Sequence, residues 1–243
     1  MPSAVVVEGH IDRTVVKAIC PDLHTPEPEE DEPQGREAAI RRAAIATKLL
    51  GQDRIVLLLD RNGYSRDEIE KEVLSIISQH LNQEPRRKGA WYLCEQSAIR
   101  IVLAGLPSDN DLRALGCSRF MIDDYLLKLC LTDEALSAFC RGESQVAYRP
   151  QKASELESII GRLAVELGKA GISVDSSKRY LDLIRATIGF AASRARFAEL
   201  LISRSFLNTF FRKCSDSYVM TMLQILQLIP ESIRENCCDA DTE

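Results

Sequence analysis

The sequence predicts an α/β fold with a mainly parallel sheet flanked by helices, followed by an all-helical C-terminal region, on three observations. AVVV at 4–7 and IVLLL at 55–59 are apolar runs without the alternation of a half-exposed strand, so they read as strands buried on both faces. Segments of helical apolar spacing separate these strands from later ones, which is how parallel strands are connected. From about residue 149 the strand signals stop and helical spacing alone continues. The expected organisation is an α/β domain over 1–148 and a helical domain with a basic face over 149–243.

Each element has its own signal. After the first strand, residues 12–19 read as a short helix, and PDLHTPEPEEDEPQG at 21–35 reads as a solvated loop with four prolines. Residues 36–50 form a second helix with Ile40, Ala43, Ala44 and Leu50 on one side. RIVLLLD then ends on Asp60, and RNGYS signals a turn. Ser65 and Glu68 form a capping box ahead of a helix bearing Ile69, Val73, Ile76 and Ile77. AWYLC at 90–94 and IRIVLA at 99–104 are further strands, and 123–131 a helix. In the last part, Ser154 and Glu157 make a second capping box before a stripe of Leu156, Ile159, Ile160, Leu163 and Leu167. Residues 176–204 and 217–229 complete the helices, and Phe197, Phe206, Phe210 and Phe211 read mostly as core.

Composition narrows the setting. The 243 residues are 45% hydrophobic and 28% charged, and no apolar run approaches the roughly 20 residues a bilayer crossing needs. No basic segment precedes a long apolar core at the N-terminus, so a signal peptide is not expected. Eight cysteines are scattered without a CxxC, which suits free thiols in a reducing cytoplasm. His24 and His80 have no ligand-type neighbours in sequence. Charge is uneven: residues 1–150 hold 19 Lys/Arg against 24 Asp/Glu, whereas 151–213 hold 11 against 6.

Two acids stand out because of where they fall. In a parallel sheet, ligands bind beyond the carboxyl ends of the strands, and Glu8 and Asp60 each follow an apolar strand there. Carboxylates converging with nothing basic beside them call for a cation, and hard oxygen donors suit Mg²⁺ or Mn²⁺. Gly9 would let the chain turn sharply, and Asp12 could reach back toward the site. Asp12 reads equally well as a helix N-terminal acid stabilised by the backbone dipole.

VVVEGHID followed by LLLDRNG resembles the Toprim domain, shared by topoisomerases, bacterial primases, recombination-repair proteins and OLD-type nucleases. The resemblance covers residues 3–130 and implies divalent-metal phosphodiester chemistry. It places Glu8, Gly9 and Asp12 on the family's first motif and Asp60 on the first acid of its Asp-x-Asp. Asn62 stands where the second acid belongs, so it would coordinate through an amide oxygen and bring no charge. Asp123 and Asp124, ahead of an apolar helix, resemble the acid that completes the metal site in stand-alone members, although they also suit a helix N-terminus.

A basic face is the remaining candidate. Lys178, Arg185 and Arg196 are spaced by 7 and 11 residues, which returns to one face of a continuous helix, with Arg194 beside them. Such a face would track phosphates of a nucleic acid, or would merely pair with Asp182 and Glu199. Lys178 is also the position chosen for the lysine that OLD-type nucleases use. The expectation is thus a Mg²⁺- or Mn²⁺-dependent nuclease. Its metal residues are Glu8, Asp60, Asn62, Asp123 and Asp124, and Asp12 is a ligand or general base. Resemblance adds an antiviral defence role under a partner ATPase, because the chain has no Walker A motif, and a possible homo-oligomer. The alternatives are a non-catalytic Toprim-like scaffold, which Asn62 favours, and a receiver-like phosphoacceptor at Asp60.

Overall fold

The structure is a computed structural model that describes residues 4–19, 24–26, 35–49, 54–94, 97–133, 136, 140 and 146–201. Its described backbone divides into two compact units, one ending at Ala104 and one beginning at Gly105. Position 149, the expected boundary, falls inside the second of them. No helix among the described residues is long and apolar enough to cross a membrane.

The first unit is α/β, with a mixed five-stranded sheet and flanking helices. Strands β1 (Ala4–Val7), β2 (Arg54–Asp60), β3 (Arg86–Lys88), β4 (Trp91–Cys94) and β5 (Ser97–Ala104) lie in the order β1-β2-β5-β4-β3. β1, β2 and β5 are parallel, in register Val6↔Leu57 and Leu57↔Ile101. β4 and β3 run antiparallel to their neighbours, so the sheet is less parallel than the sequence predicted. The two-residue turn Gly89–Ala90 joins β3 to β4, and Gly89 takes a φ of +63° that suits such a tight hairpin.

Helices α1 (His10–Ile19), α2 (Arg36–Leu49) and α3 (Arg66–Leu81) complete this unit. Ala39, Ile40, Ala43 and Ala46 of α2 and Ile69, Val73 and Ile77 of α3 meet Val6, Leu57, Leu59, Ile99 and Ile101 in one core. Small α2 residues let the helix sit close on the sheet, and larger α3 residues fill what remains. The capping box at the start of α3 forms as predicted, with Ser65 and Glu68 satisfying each other's backbone amides.

The described elements of the second unit are helices α4 (Asn110–Ala114), α5 (Asp123–Cys130), α6 (Ala153–Lys169), α7 (Ser177–Ile188) and α8 (Arg194–Leu201). The second capping box is not made: α6 starts at Ala153, and its amide donates instead to the Asp133 carboxylate at 2.6 Å. Leu156 and Ile160 are buried, but Leu163 is 41% exposed, so the predicted stripe is buried at its first turns only.

The single helix expected over 176–204 is two helices. Gly189 ends α7 with a φ of +70°, and the Phe190 amide reaches back to the Arg185 carbonyl at 2.9 Å, a left-handed helix stop. A Cβ at Gly189 would lie 2.6 Å from the Ala147 Cβ. Gly189→Ala therefore meets both a strained φ and an overlap, and is expected to cost about 1–3 kcal/mol in denaturant unfolding. An unchanged midpoint would contradict this description of the break. Phe197 is buried and packs on Phe190 with ring centroids 5.5 Å apart. The helix expected at 217–229 and Phe206, Phe210 and Phe211 lie outside the described residues.

Candidate functional site

Glu8 and Asp60 end up next to each other because β1 and β2 are neighbouring parallel strands in a register that brings both carboxyl ends to one edge of the sheet. The ladder stops at Val7↔Leu58, and the Glu8 side chain continues it: Oε1 accepts the Asp60 amide hydrogen at 2.9 Å. A half-buried amide at a strand end needs an acceptor, and this carboxylate supplies one. Burial raises the Glu8 pKa, opposed by the Asp60 amide and by Arg36.

Arg36 is the feature that the sequence reading missed. It opens α2, with Nε 3.6 Å from Glu8 Oε1, and donates to the carbonyls of Asp60 at 2.8 Å and Arg61 at 3.4 Å. It also pairs with Glu72 at 3.2 Å and lies 4.8 Å from the Tyr64 ring centroid. Farther along α2, Arg42 is buried and donates to the Val7 carbonyl at 2.8 Å. The expectation that these acids have nothing basic beside them is thus overturned. Carbonyls at the carboxyl ends of parallel strands concentrate negative potential, and two guanidiniums from one helix balance it. The only sequence signal was arginine within an otherwise alanine-rich helix.

The neighbouring motif residues are also placed. Asp12 is buried and accepts the Gly9 amide hydrogen at 2.9 Å, closing the first turn of α1 in the helix-capping manner. Gly9 is not in the left-handed region, and a Cβ there would meet only Asp12 Oδ2 at 3.6 Å. The turn after Glu8 therefore does not require glycine. Asn62 takes a φ of +49° and Gly63 one of +88°, so the RNG turn needs residues that tolerate left-handed backbone. Asparagine does so more readily than most residues, which gives Asn62 a conformational reason to be there.

Asp123, Asp124, Lys178, Arg185, Arg194 and Arg196 belong to the second unit. Asp124 is fully buried with both oxygens engaged: Oδ2 accepts from the amides of Leu106 at 2.9 Å and Met121 at 3.3 Å, and Oδ1 from the Ser177 hydroxyl at 2.6 Å. Burial nevertheless pushes its pKa up to about 6. Asp123 is also buried, with an Oδ1 that has no hydrogen-bond partner among the described residues, and burial raises its pKa against the opposing charges of Arg194 and Lys178. Lys178 is exposed at the start of α7.

The expected basic face is not continuous, because Arg196 stands on a different helix from Lys178 and Arg185. Arg185 pairs with Asp182 at 2.9 Å and donates to the Ala192 carbonyl, bracing the chain just past the break. Arg196 pairs with Glu199 at 2.8 Å. Lys128 is a further buried cation, held by Asp111 at 2.6 Å and Asp109 at 3.2 Å.

Among the described residues, no three His, Cys, Asp or Glu side chains come together as a metal-holding group. A hard cation of the Mg²⁺ type commonly takes one or two carboxylates and completes its shell with water and phosphate oxygens, and Glu8 and Asp60 are the residues at these strand ends that could supply them. Glu8 Oε1 is committed to the Asp60 amide and lies 3.6 Å from Arg36 Nε. No family model matches this chain, and neither curated proteins nor solved structures show a significant similarity to it.

Proposed function

We propose that the chain is a divalent-metal-dependent nuclease that hydrolyses phosphodiester bonds, its first unit a Toprim-like domain with Glu8 and Asp60 as the metal residues. The observation that carries this reading is the pairing of those two acids at the carboxyl ends of adjacent parallel strands, joined by the 2.9 Å bond from the Asp60 amide to Glu8. Gly9 supports it: neither backbone angle nor packing demands glycine, which leaves the close approach of something outside the chain as a reason for it.

A bound Mg²⁺ or Mn²⁺ would polarise the scissile phosphate and lower the pKa of a coordinated water. The protein's own part is positional. The Asp60 amide fixes the Glu8 carboxylate, and the Asp60 and Arg61 carbonyls fix Arg36. Arg36 is held where it can balance Glu8 before a nucleic acid arrives and a phosphate oxygen afterwards. Asp12 is assigned to orienting Gly9 rather than to proton transfer, and Asp124 to holding the second unit together. The wider role, an effector of antiviral defence controlled by a partner ATPase, belongs to the same proposal through the Toprim resemblance.

Asn62 and Arg36 favour a second reading, a non-catalytic Toprim-like subunit, since one removes an acid and the other supplies an internal counter-ion. Incubating plasmid DNA and transfer RNA with the full chain in Mg²⁺, Mn²⁺ or EDTA decides between them. The nuclease reading expects cleavage that EDTA abolishes. No cleavage of either substrate, with or without a partner ATPase, supports the second.

A further inference from the structure

The register of the sheet places a set of residues together that neither the strand-end site nor the basic helices use. On the sheet face opposite α2 and α3, one row across the strands reads Val56, Arg100, Trp91 and Lys88. The next row reads Arg54, Ala98, Leu93 and Arg86. Four cations therefore surround the only tryptophan in the chain. The guanidiniums of Arg54 and Arg100 each lie 5.9 Å from the Trp91 ring centroid. Arg54, Arg86 and Lys88 are exposed, Trp91 is partly exposed, and Leu93 is 38% exposed.

Among the described residues of the first unit, no packing contact explains this composition. Apart from Trp91 and Leu93, its exposed part is charged, and neither row contains an acid. Arg86, Lys88 and Arg100 form no ion pair among the described residues. Burial and the charge of Arg66 lower the Arg100 pKa, so this cation sits at a cost that an anion would relieve. From β3 to β2 the patch spans three strand spacings, roughly 14 Å.

We infer that this face binds single-stranded nucleic acid, with bases stacking at Trp91 and phosphates held by Arg54, Arg86, Lys88 and Arg100. The charge selects a polyanion, and the indole among the cations selects one with unpaired π-faces. A duplex keeps its bases stacked inside and could meet only the charges. Sheet surfaces that carry aromatics among basic residues commonly bind two or three bases in this way. The inference adds a substrate class to the nuclease reading but does not depend on it, because stacking and phosphate contacts need neither metal nor cleavage.

The solitary tryptophan makes the test direct. The full chain in EDTA is titrated with a labelled twelve-nucleotide oligothymidylate, reading tryptophan emission and label anisotropy. Saturable quenching of Trp91 is expected, with affinity falling as salt rises at a logarithmic slope of about −3 for four phosphates. Arg86→Gln with Lys88→Gln, both exposed edge positions, should weaken binding by about tenfold and flatten that slope by about 1.4. Trp91→Ala should lose about tenfold by anisotropy and Trp91→Phe much less. Because the titration is run in EDTA, where no metal-dependent cleavage takes place, its outcome is read separately from that of the strand-end site. Unchanged tryptophan emission, equal binding of duplex DNA or heparin, or indifference to the edge substitutions would each overturn the inference.

Discussion

Glu8→Ala is expected to lower Mg²⁺- or Mn²⁺-dependent cleavage by more than about 100-fold while leaving the chain folded. Removing even a group that only supports a metal ligand commonly costs 10–100-fold, and Glu8 is assigned as a ligand itself. The stability effect should be much smaller. The variant loses one acceptor for the Asp60 amide and the partner of Arg36, and this amide sits at a strand end only partly shielded from water. A loss of about 1 kcal/mol is expected in denaturant unfolding. Glu8→Gln sharpens the distinction, because its amide oxygen can still accept the Asp60 hydrogen. It should therefore keep stability closer to wild type and still lose cleavage. If Glu8→Gln cuts at the wild-type rate, the carboxylate is holding the strand end and not a metal.

Asp124 carries the largest expected effect on stability. Three donors from separate stretches of the second unit, the amides of Leu106 and Met121 and the hydroxyl of Ser177, converge on one fully buried carboxyl group. Asp124→Ala leaves all three without their acceptor and is expected to cost about 4 kcal/mol. Asp124→Asn should be far milder, since its oxygen can serve the two amides and its NH₂ can donate to the serine oxygen. The same group imposes a pH dependence. Its pKa is pushed from the ordinary 3.8 to about 6, so between those values the folded protein holds a proton that the unfolded chain has released. The stabilisation is fully present below the unfolded value and is lost as pH rises through about 6, a fall of about 3 kcal/mol that Asp124→Asn should abolish. Denaturant midpoints of the full chain between pH 4 and 7 check both statements.

Much of the first unit was legible because its signals are local or periodic. Unbroken apolar runs marked β1 and β2, and the Ser65–Glu68 pair marked the start of α3. The antiparallel hairpin was not, because β3 is the fully exposed Arg86–Lys88 and carries no apolar pattern; only the glycine at 89 hinted at it. The break at Gly189 was not legible either, because a single glycine within helical spacing does not announce the left-handed φ that ends α7. One helix over 176–204 would put Arg196 on a face with Lys178, whereas they stand on α8 and α7.

The candidate site divides the same way. That Glu8 and Asp60 sit at strand ends follows from the apolar run before each, whereas their adjacency depends on strand order, which no local signal encodes. Arg36 and Arg42 lie at least 28 residues beyond Glu8 in sequence and reach the strand ends only through the packing of α2 on the sheet. Asn62 shows the opposite case. In the sequence it was a departure from a metal motif, and in the structure it is a left-handed turn residue with its own reason to be asparagine.

The central claim is that Glu8 and Asp60 together hold a divalent cation, and direct Mn²⁺ binding tests it without a substrate. Electron paramagnetic resonance of free Mn²⁺ titrated with the full chain at neutral pH should show one bound ion. Binding should weaken as pH falls through the raised Glu8 pKa, because the protonated acid no longer offers a charged ligand. Glu8→Gln and Asp60→Asn should each abolish it, and Arg36→Gln should strengthen it by removing the competing cation. Mn²⁺ binding that is absent in the wild type, or unchanged in both acid variants, would contradict the account.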